Sequence, residues 1–221
     1  MSLFFPLTCA GCDVPLVEGE SLLCTSCWYR LPYTRFHQDP ENRAARQLWG
    51  AVPLTGVAAY LYLRDASRVQ RMIYRLKYGN VPALGLVLGM RYGEQLATVS
   101  PYREVEVVVP VPLHPAKKRR RGYNQSAYFA RGLGIALGRP VVEEVLIRSR
   151  DGGSQTHKTR QERFASLQDT FMVRDAAPIT DRHVLLADDV LTTGATLEAC
   201  ARVLLDAGAG QVSAVTIAKA M

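Results

Sequence analysis

Long apolar runs are missing from this chain. No wholly hydrophobic stretch approaches the ~20 residues that a membrane-spanning helix needs, so no spanning segment is expected. The opening stretch, MSLFFPLTCAGC, has no basic residue and only a brief apolar run, so a signal peptide is not expected and a cytoplasmic location is. Internal repeats and low-complexity segments are also lacking, which argues against a repeat architecture. Acidic residues are the scarcer charge: 20 Asp and Glu face 27 Lys and Arg, for a formal net charge of +7. Cysteine is nearly absent beyond residue 27, where only Cys200 occurs. What is present is apolar material, 48% of 221 residues, which is enough for a core and too much for a disordered chain. That length fits one ordinary domain with room for a small second module.

Four of the five cysteines crowd into the first 27 residues. Cys9, Cys12, Cys24 and Cys27 form C-x2-C-x11-C-x2-C. Two residues between thiolates let one short turn aim both sulfurs at a single ion, and Gly11 suits such a turn. Two of these knuckles complete the tetrahedral four-thiolate site that structural Zn2+ favours. Two disulfides would need an oxidising compartment. A redox C-x-x-C would normally adjoin a βαβ pattern and would not come doubled. An iron–sulfur cluster is the remaining metal alternative. A closed zinc site would hold a ~30-residue module together and do no chemistry. Cys200, on an expected helix, reads as a small core residue.

Hydrophobic patterning predicts a strand over 55–63, a helix over 66–78 and another over about 82–97. The apolar run 105–113 is of the type found in strands buried on both faces. A helix over about 125–137, a short strand in VVEEVLIRS, a strand over 183–190, a helix over about 195–207 and a last strand in QVSAVTIAKA follow. This alternation predicts an α/β fold, a mostly parallel sheet covered by helices. The expected divisions are a metal module over 1–37, a linker or docking segment over 38–54, and an α/β domain over 55–221.

The most informative string is VLLADDVLTTGAT, residues 184–196. A buried strand delivers Asp188 and Asp189 to its carboxyl end, where open α/β sheets bind ligands. Thr192, Thr193, Gly194, Ala195 and Thr196 then lead into a helix, and hydroxyls, a glycine and a fresh helix N-terminus make a phosphate cradle. Carboxylates just upstream can accept hydrogen bonds from two vicinal hydroxyls. The combination predicts a site for a 5-phosphorylated ribose. Alternatively, the string is a strand that ends in a polar turn before an N-capped helix.

Nearly all the excess charge lies in one block. Residues 114–163 hold 12 Lys and Arg against 4 Asp and Glu, a net of +8. Its core is HPAKKRRRGYNQS. Lys117, Lys118, Arg119, Arg120 and Arg121 could neutralise a pyrophosphate, or track the phosphates of single-stranded DNA with Tyr123 offering a stacking face, or form a solvated turn. Five adjacent side chains cannot all face one site. His114 and His157 are weak acid–base candidates.

Position by position, residues 184–196 resemble the phosphoribosyl pyrophosphate (PRPP) signature of type I phosphoribosyltransferases. Taken in order, the four-cysteine finger, RLKY (Arg75–Tyr78), VPVPLH, RRGYNQ, a Gln/Arg loop and this signature resemble the ComF/GntX family over most of the chain. The resemblance implies a phosphoribosyltransferase-like domain, and a role in DNA uptake in natural transformation, with other DNA-uptake proteins as partners, or in nucleotide metabolism. It singles out Arg121, Tyr123, Asn124 and Gln125 as pocket residues, and implies that Asp188 and Asp189 hold the ribose and Arg121 the pyrophosphate, with Mg2+ accompanying PRPP. Those three would be the catalytic groups if phosphoribosyl transfer occurs. Residues 148–163 resemble the loop that closes over PRPP: Arg148, Arg150, Gln155, Glu162 and Arg163 match, while Gly152 and Ser166 replace a usual Thr and Asn. No pocket for an accepting base or amine is recognisable. The competing expectations are a non-catalytic single-stranded DNA-binding protein that uses the finger and Lys117–Arg120, and a zinc-stabilised protein adaptor.

Overall fold

The computed structural model describes residues 7–148 and 170–221. In chain order the described elements are α1 (Thr25–Arg30), α2 (Arg43–Leu48), β1 (Gly56–Leu63), α3 (Arg68–Tyr78), α4 (Pro82–Leu96) and β2 (Val107–Pro110). They continue with α5 (Pro115–Arg121), α6 (Gln125–Leu137), β3 (Leu146–Arg148), β4 (Phe171–Val173), β5 (His183–Leu191), α7 (Ala195–Asp206) and β6 (Gln211–Ala220). None of the described helices is long and apolar enough to cross a membrane.

Four strands form one parallel sheet in the order β1-β6-β5-β2. The central β5 carries Val184, Leu185, Leu186 and Ala187, all buried, as a strand covered on both faces requires. β2 is shorter than its apolar run suggests. Val111 still donates its N–H to the Ala187 carbonyl, but Pro112 has no N–H to continue the ladder. β3 and β4 pair antiparallel in a separate two-stranded sheet; of the expected VVEEVLIRS strand, Leu146–Arg148 pair there, while Val141 bridges to Val108 of β2.

The edge strand β1 is covered by the chain that leaves the finger. Thr34 and Tyr62 donate their N–H groups to the carbonyls of Tyr60 and Pro32, which blunts an edge that would otherwise be open. Cys9, Leu23, Cys24 and Cys27 belong to the same buried cluster as the sheet. α4 and α6 pack closely because glycines face each other. A Cβ on Gly89 would strike the Phe129 carbonyl, and one on Gly132 would strike the Leu86 carbonyl.

Two segments take firmer shape than their sequence suggests. Within 38–54, Asn42 accepts N–H groups from Ala44 and Ala45 and donates to the Val57 carbonyl at 2.7 Å, which starts α2 and ties it to β1. The basic block forms a two-turn helix, α5. Pro115 sits in its first turn, His114 Nδ1 accepts the Ala116 N–H, and Gly122 at φ 83 ends it. α5 buries no residue.

Candidate functional site

The four cysteine sulfurs lie within 4.8 Å of one another, and the Sγ atoms of Cys12 and Cys24 are 3.7 Å apart. Sulfurs placed ~2.3 Å from one tetrahedral zinc are ~3.8 Å apart, so the cluster has the dimensions of a metal site. Each knuckle turns its N–H groups toward sulfur: Gly11 and Cys24 donate to Cys9 Sγ, and Cys27 donates to Cys24 Sγ. A side chain at Gly11 would crowd Cys27 Sγ at 3.1 Å. Burial opposes ionisation of Cys9, but the N–H groups of Cys24, Gly11 and Cys12 outweigh it and draw the thiol down to about 7. Burial and the sulfurs of Cys12, Cys9 and Cys24 push Cys27 far upward. Four thiolates at this spacing need a cation among them, and the all-sulfur donor set fits Zn2+. All four are free cysteines.

The second cluster sits at the carboxyl end of β5. The Ser126 hydroxyl donates to Asp188 Oδ1 at 2.8 Å, and the same oxygen accepts the Asp189 N–H at 2.8 Å. Asp189 is 5% exposed. Its Oδ2 accepts from Gln125 Nε2 at 2.6 Å and faces Lys77 Nζ at 3.1 Å. Arg121 donates to Gln125 Oε1 and lies over the Tyr78 ring, 5.2 Å from its centroid. Burial and the charge of Asp189 raise the Asp188 carboxyl to about 7, although the Asp189 N–H, Ser126 and Lys77 pull the other way. Cys200 is fully buried behind this pair, and burial first, then the Asp188 charge, raises its thiol.

After β5 the chain turns through exposed Thr192 and Thr193 to Gly194, whose φ of 87 makes it the N-cap of α7. Gly194 offers no capping side chain, so the first N–H groups of this 12-residue helix, from Ala195 and Thr196 onward, lack intrahelical acceptors. α2 lies against the loop: Gln47 Nε2 donates to the Thr192 carbonyl at 2.6 Å, and a Cβ on Gly194 would come within 2.6 Å of Leu48 Cδ2. Gly194→Ala is therefore expected to cost about 1–2 kcal/mol from its left-handed backbone alone, with further loss from the clash. Thermal denaturation checks this; an unchanged melting temperature would contradict it.

Asp188, Asp189, Gln125 and Arg121 are thus joined in one hydrogen-bonded group, with Thr192–Thr196 following directly on β5. Tyr123 lies beneath them at 9% exposed, its hydroxyl donating to the Leu76 carbonyl at 2.6 Å and its ring edge-on to Tyr128. Its ring is largely buried, with the remainder lining a small cavity. Asn124 caps α6 and donates to the Val111 carbonyl. Lys117, Lys118, Arg119 and Arg120 are exposed on α5. Of the expected closing loop only Arg148 is described; Arg150, Gly152, Gly153, Gln155, His157, Glu162, Arg163 and Ser166 lie outside the described residues. Lys77, Ser126 and Gln47 are additional members of the site. The first two fall within RLKY and RGYNQS, strings that mark their segments as special, whereas Gln47 carries no sequence signal.

Residues 123–221 match the phosphoribosyl transferase domain family. The DNA utilization protein YhgH of Salmonella typhimurium is 31% identical over 204 residues, covering 92% of this chain and 80% of that protein. Competence protein ComFC of Streptococcus pneumoniae is 31% identical over 118 residues, 53% of this chain and 50% of that protein. Among solved structures, the glutamine PRPP amidotransferase from B. subtilis matches at 19% identity and a TM-score of 0.43, covering 64% of this chain and 30% of that one. A four-cysteine cluster ahead of a parallel α/β sheet, the domain match and relatives aligned over 92% and 53% of the chain lead to one assignment: the chain belongs to the ComF family of phosphoribosyltransferase-like proteins.

Proposed function

We propose that this protein binds PRPP at the end of β5 and acts in the handling of DNA during uptake. The observation that carries the reading is the acid pair, Asp189 buried and Asp188 half-buried, held by Ser126, Gln125 and Lys77 ahead of a helix N-terminus that begins at glycine. Asp188 and Asp189 accept the vicinal hydroxyls of the ribose. The N–H groups and hydroxyls of Thr192–Thr196 take the 5-phosphate. Mg2+ favours phosphate oxygens, carboxylates and water, so Asp188, Asp189 and the pyrophosphate suit it, and it would neutralise charge on the leaving group. If transfer occurs, the anionic acid pair stabilises the positive charge that develops on the ribosyl ring, and Arg121 neutralises the departing pyrophosphate. The relatives' names, DNA utilization protein and competence protein, support the cellular role.

A titration of Mg2+-PRPP by thermal shift tests the site. A ligand that binds only the folded chain stabilises it, by about 2.7 kcal/mol at a hundredfold excess over Kd. No shift overturns the assignment.

The exposed basic face of α5 favours a second activity on the same scaffold, binding of single-stranded DNA. Four side chains on single-strand phosphates contribute a salt slope of roughly 0.7 each. Replacing Lys117, Lys118, Arg119 and Arg120 by Ala together should flatten the plot of log K against log salt by about 3. PRPP binding should survive when Arg120, which shares a cavity with Lys77 and Arg121, is kept. An unchanged slope removes α5 from the DNA path, and competition between PRPP and DNA would place both ligands on one surface.

A further inference from the structure

We propose that Lys77 is a positioning residue of the acid-pair site, holding Asp189 while the pocket is empty and turning to the pyrophosphate end of PRPP when it fills. The inference rests on the PRPP reading above. Lys77 Nζ lies 3.1 Å from Asp189 Oδ2, and that oxygen already accepts the Gln125 amide at 2.6 Å. A ribose hydroxyl arriving at Asp189 must share the carboxylate with these two donors. Gln125 is buried at 6% exposed and fixed at its other end by Arg121. The Lys77 side chain is 24% exposed and sits on a flexible four-carbon stem, so it is the donor that can yield.

Lys77 also has somewhere to go. It lines a cavity of about 310 Å3 together with Tyr78, Asn80, Arg120, Arg121 and Tyr123. Three cations and no carboxylate line that space, a composition suited to a polyanion. One ammonium therefore stands on the boundary between the buried Asp189 carboxylate and a cationic cavity. A diphosphate entering the cavity gains a cation at the moment the sugar hydroxyls take over Asp189. Ribose 5-phosphate has the hydroxyls without the diphosphate and gains no such partner.

The test is calorimetric titration of the full chain, zinc-loaded, with Mg2+-PRPP and with ribose 5-phosphate. Lys77→Met should weaken PRPP binding by roughly tenfold or more, the loss expected for one charge-assisted hydrogen bond. Ribose 5-phosphate affinity should change by less than about twofold, and Lys77→Arg should restore most of the PRPP affinity. Unchanged PRPP affinity in Lys77→Met overturns the proposal, as does an equal loss for both ligands, which a purely structural lysine would give. If Lys77→Met does not fold, Lys77→Gln, whose amide can still donate to Asp189, makes the same comparison. Wild-type protein that binds neither ligand refutes the PRPP reading itself, and this proposal with it.

Discussion

Asp188→Asn and Asp189→Asn are expected to move stability in opposite directions while both remove PRPP binding. The difference follows from their partners. Asp188 is raised to about 7 by burial and by its charged neighbour. A raised carboxyl means that the folded chain holds the proton more tightly than the unfolded one. Stability is therefore greatest below the ordinary carboxylate range and declines as the pH rises toward 7. At pH 8 the ionised side chain is a cost, and its neutral replacement should add about 1–3 kcal/mol. A gain of that size is worth roughly 2–4 °C in melting temperature per kcal/mol for a chain of this length. At pH 4 the gain should vanish. Asp189 is the counter-charge of Lys77 and the acceptor of Gln125. Its amide variant leaves a partly buried ammonium without an anion, at a cost of about 1–3 kcal/mol after allowing for the exposure of Lys77. Thermal melts at pH 4 and pH 8, with and without Mg2+-PRPP, read both effects. If the two variants shift stability the same way at pH 8, the assignment of one acid as strained and the other as paired is wrong.

Which parts of this arrangement sequence could reveal depends on whether the signal is local. β5, α6 and α7 have apolar runs or helical spacing bounded by recognisable ends: Asn124 caps α6, Gly138 stops it, and Gly194 opens α7. Their bounds agree with the patterning almost to the residue. α5 has no apolar face, so periodicity is blind to it, and its helix is held by end residues alone. α2 has only six residues, too few to show a period. The threonine loop and the acid pair are contiguous and therefore legible. The Lys77–Asp189 pair joins residues on α3 and β5, and no spacing encodes that partnership. The last turn of α3 shows why RLKY stands out as a string. Arg75 donates to the Cys9 carbonyl, the Leu76 carbonyl accepts from Tyr123, and Lys77 meets Asp189. Three consecutive residues touch the finger, the RGYNQS segment and the acid pair. Only the fold brings those three segments to one helix end.

Removal of the metal from the cysteine cluster is expected to reach well beyond the finger. Structural zinc in isolated finger peptides binds with roughly 10–16 kcal/mol, and that binding energy is folding energy. Here the finger also shares its core with the sheet, and Arg75 ties it to α3 through the Cys9 carbonyl at 2.8 Å and through Asp13. The chain that follows it pairs with β1 at Tyr60 and Tyr62. Loss of the ion leaves four crowded sulfurs, of which Cys27 resists ionisation because of burial and its neighbours. The cluster must then spread or protonate, and the covered edge of β1 should open with it. Cys12→Ser is the informative variant, because Cys12 is the least buried of the four and its loss disturbs packing least. It should lower the melting temperature by many degrees, abolish stoichiometric zinc, and speed amide exchange at Thr34 and Tyr62, whose N–H groups bridge the finger's exit and β1. Cys200→Ser should leave the zinc content unchanged, since Cys200 lies on α7 behind the acid pair. A zinc-free Cys12→Ser protein that melts like the wild type would show that the cluster is held by packing and not by a metal. Two separate transitions would show that finger and sheet fold independently. A single transition shifted downward, with exchange faster on both sides of the β1 edge, is the outcome that their shared core requires.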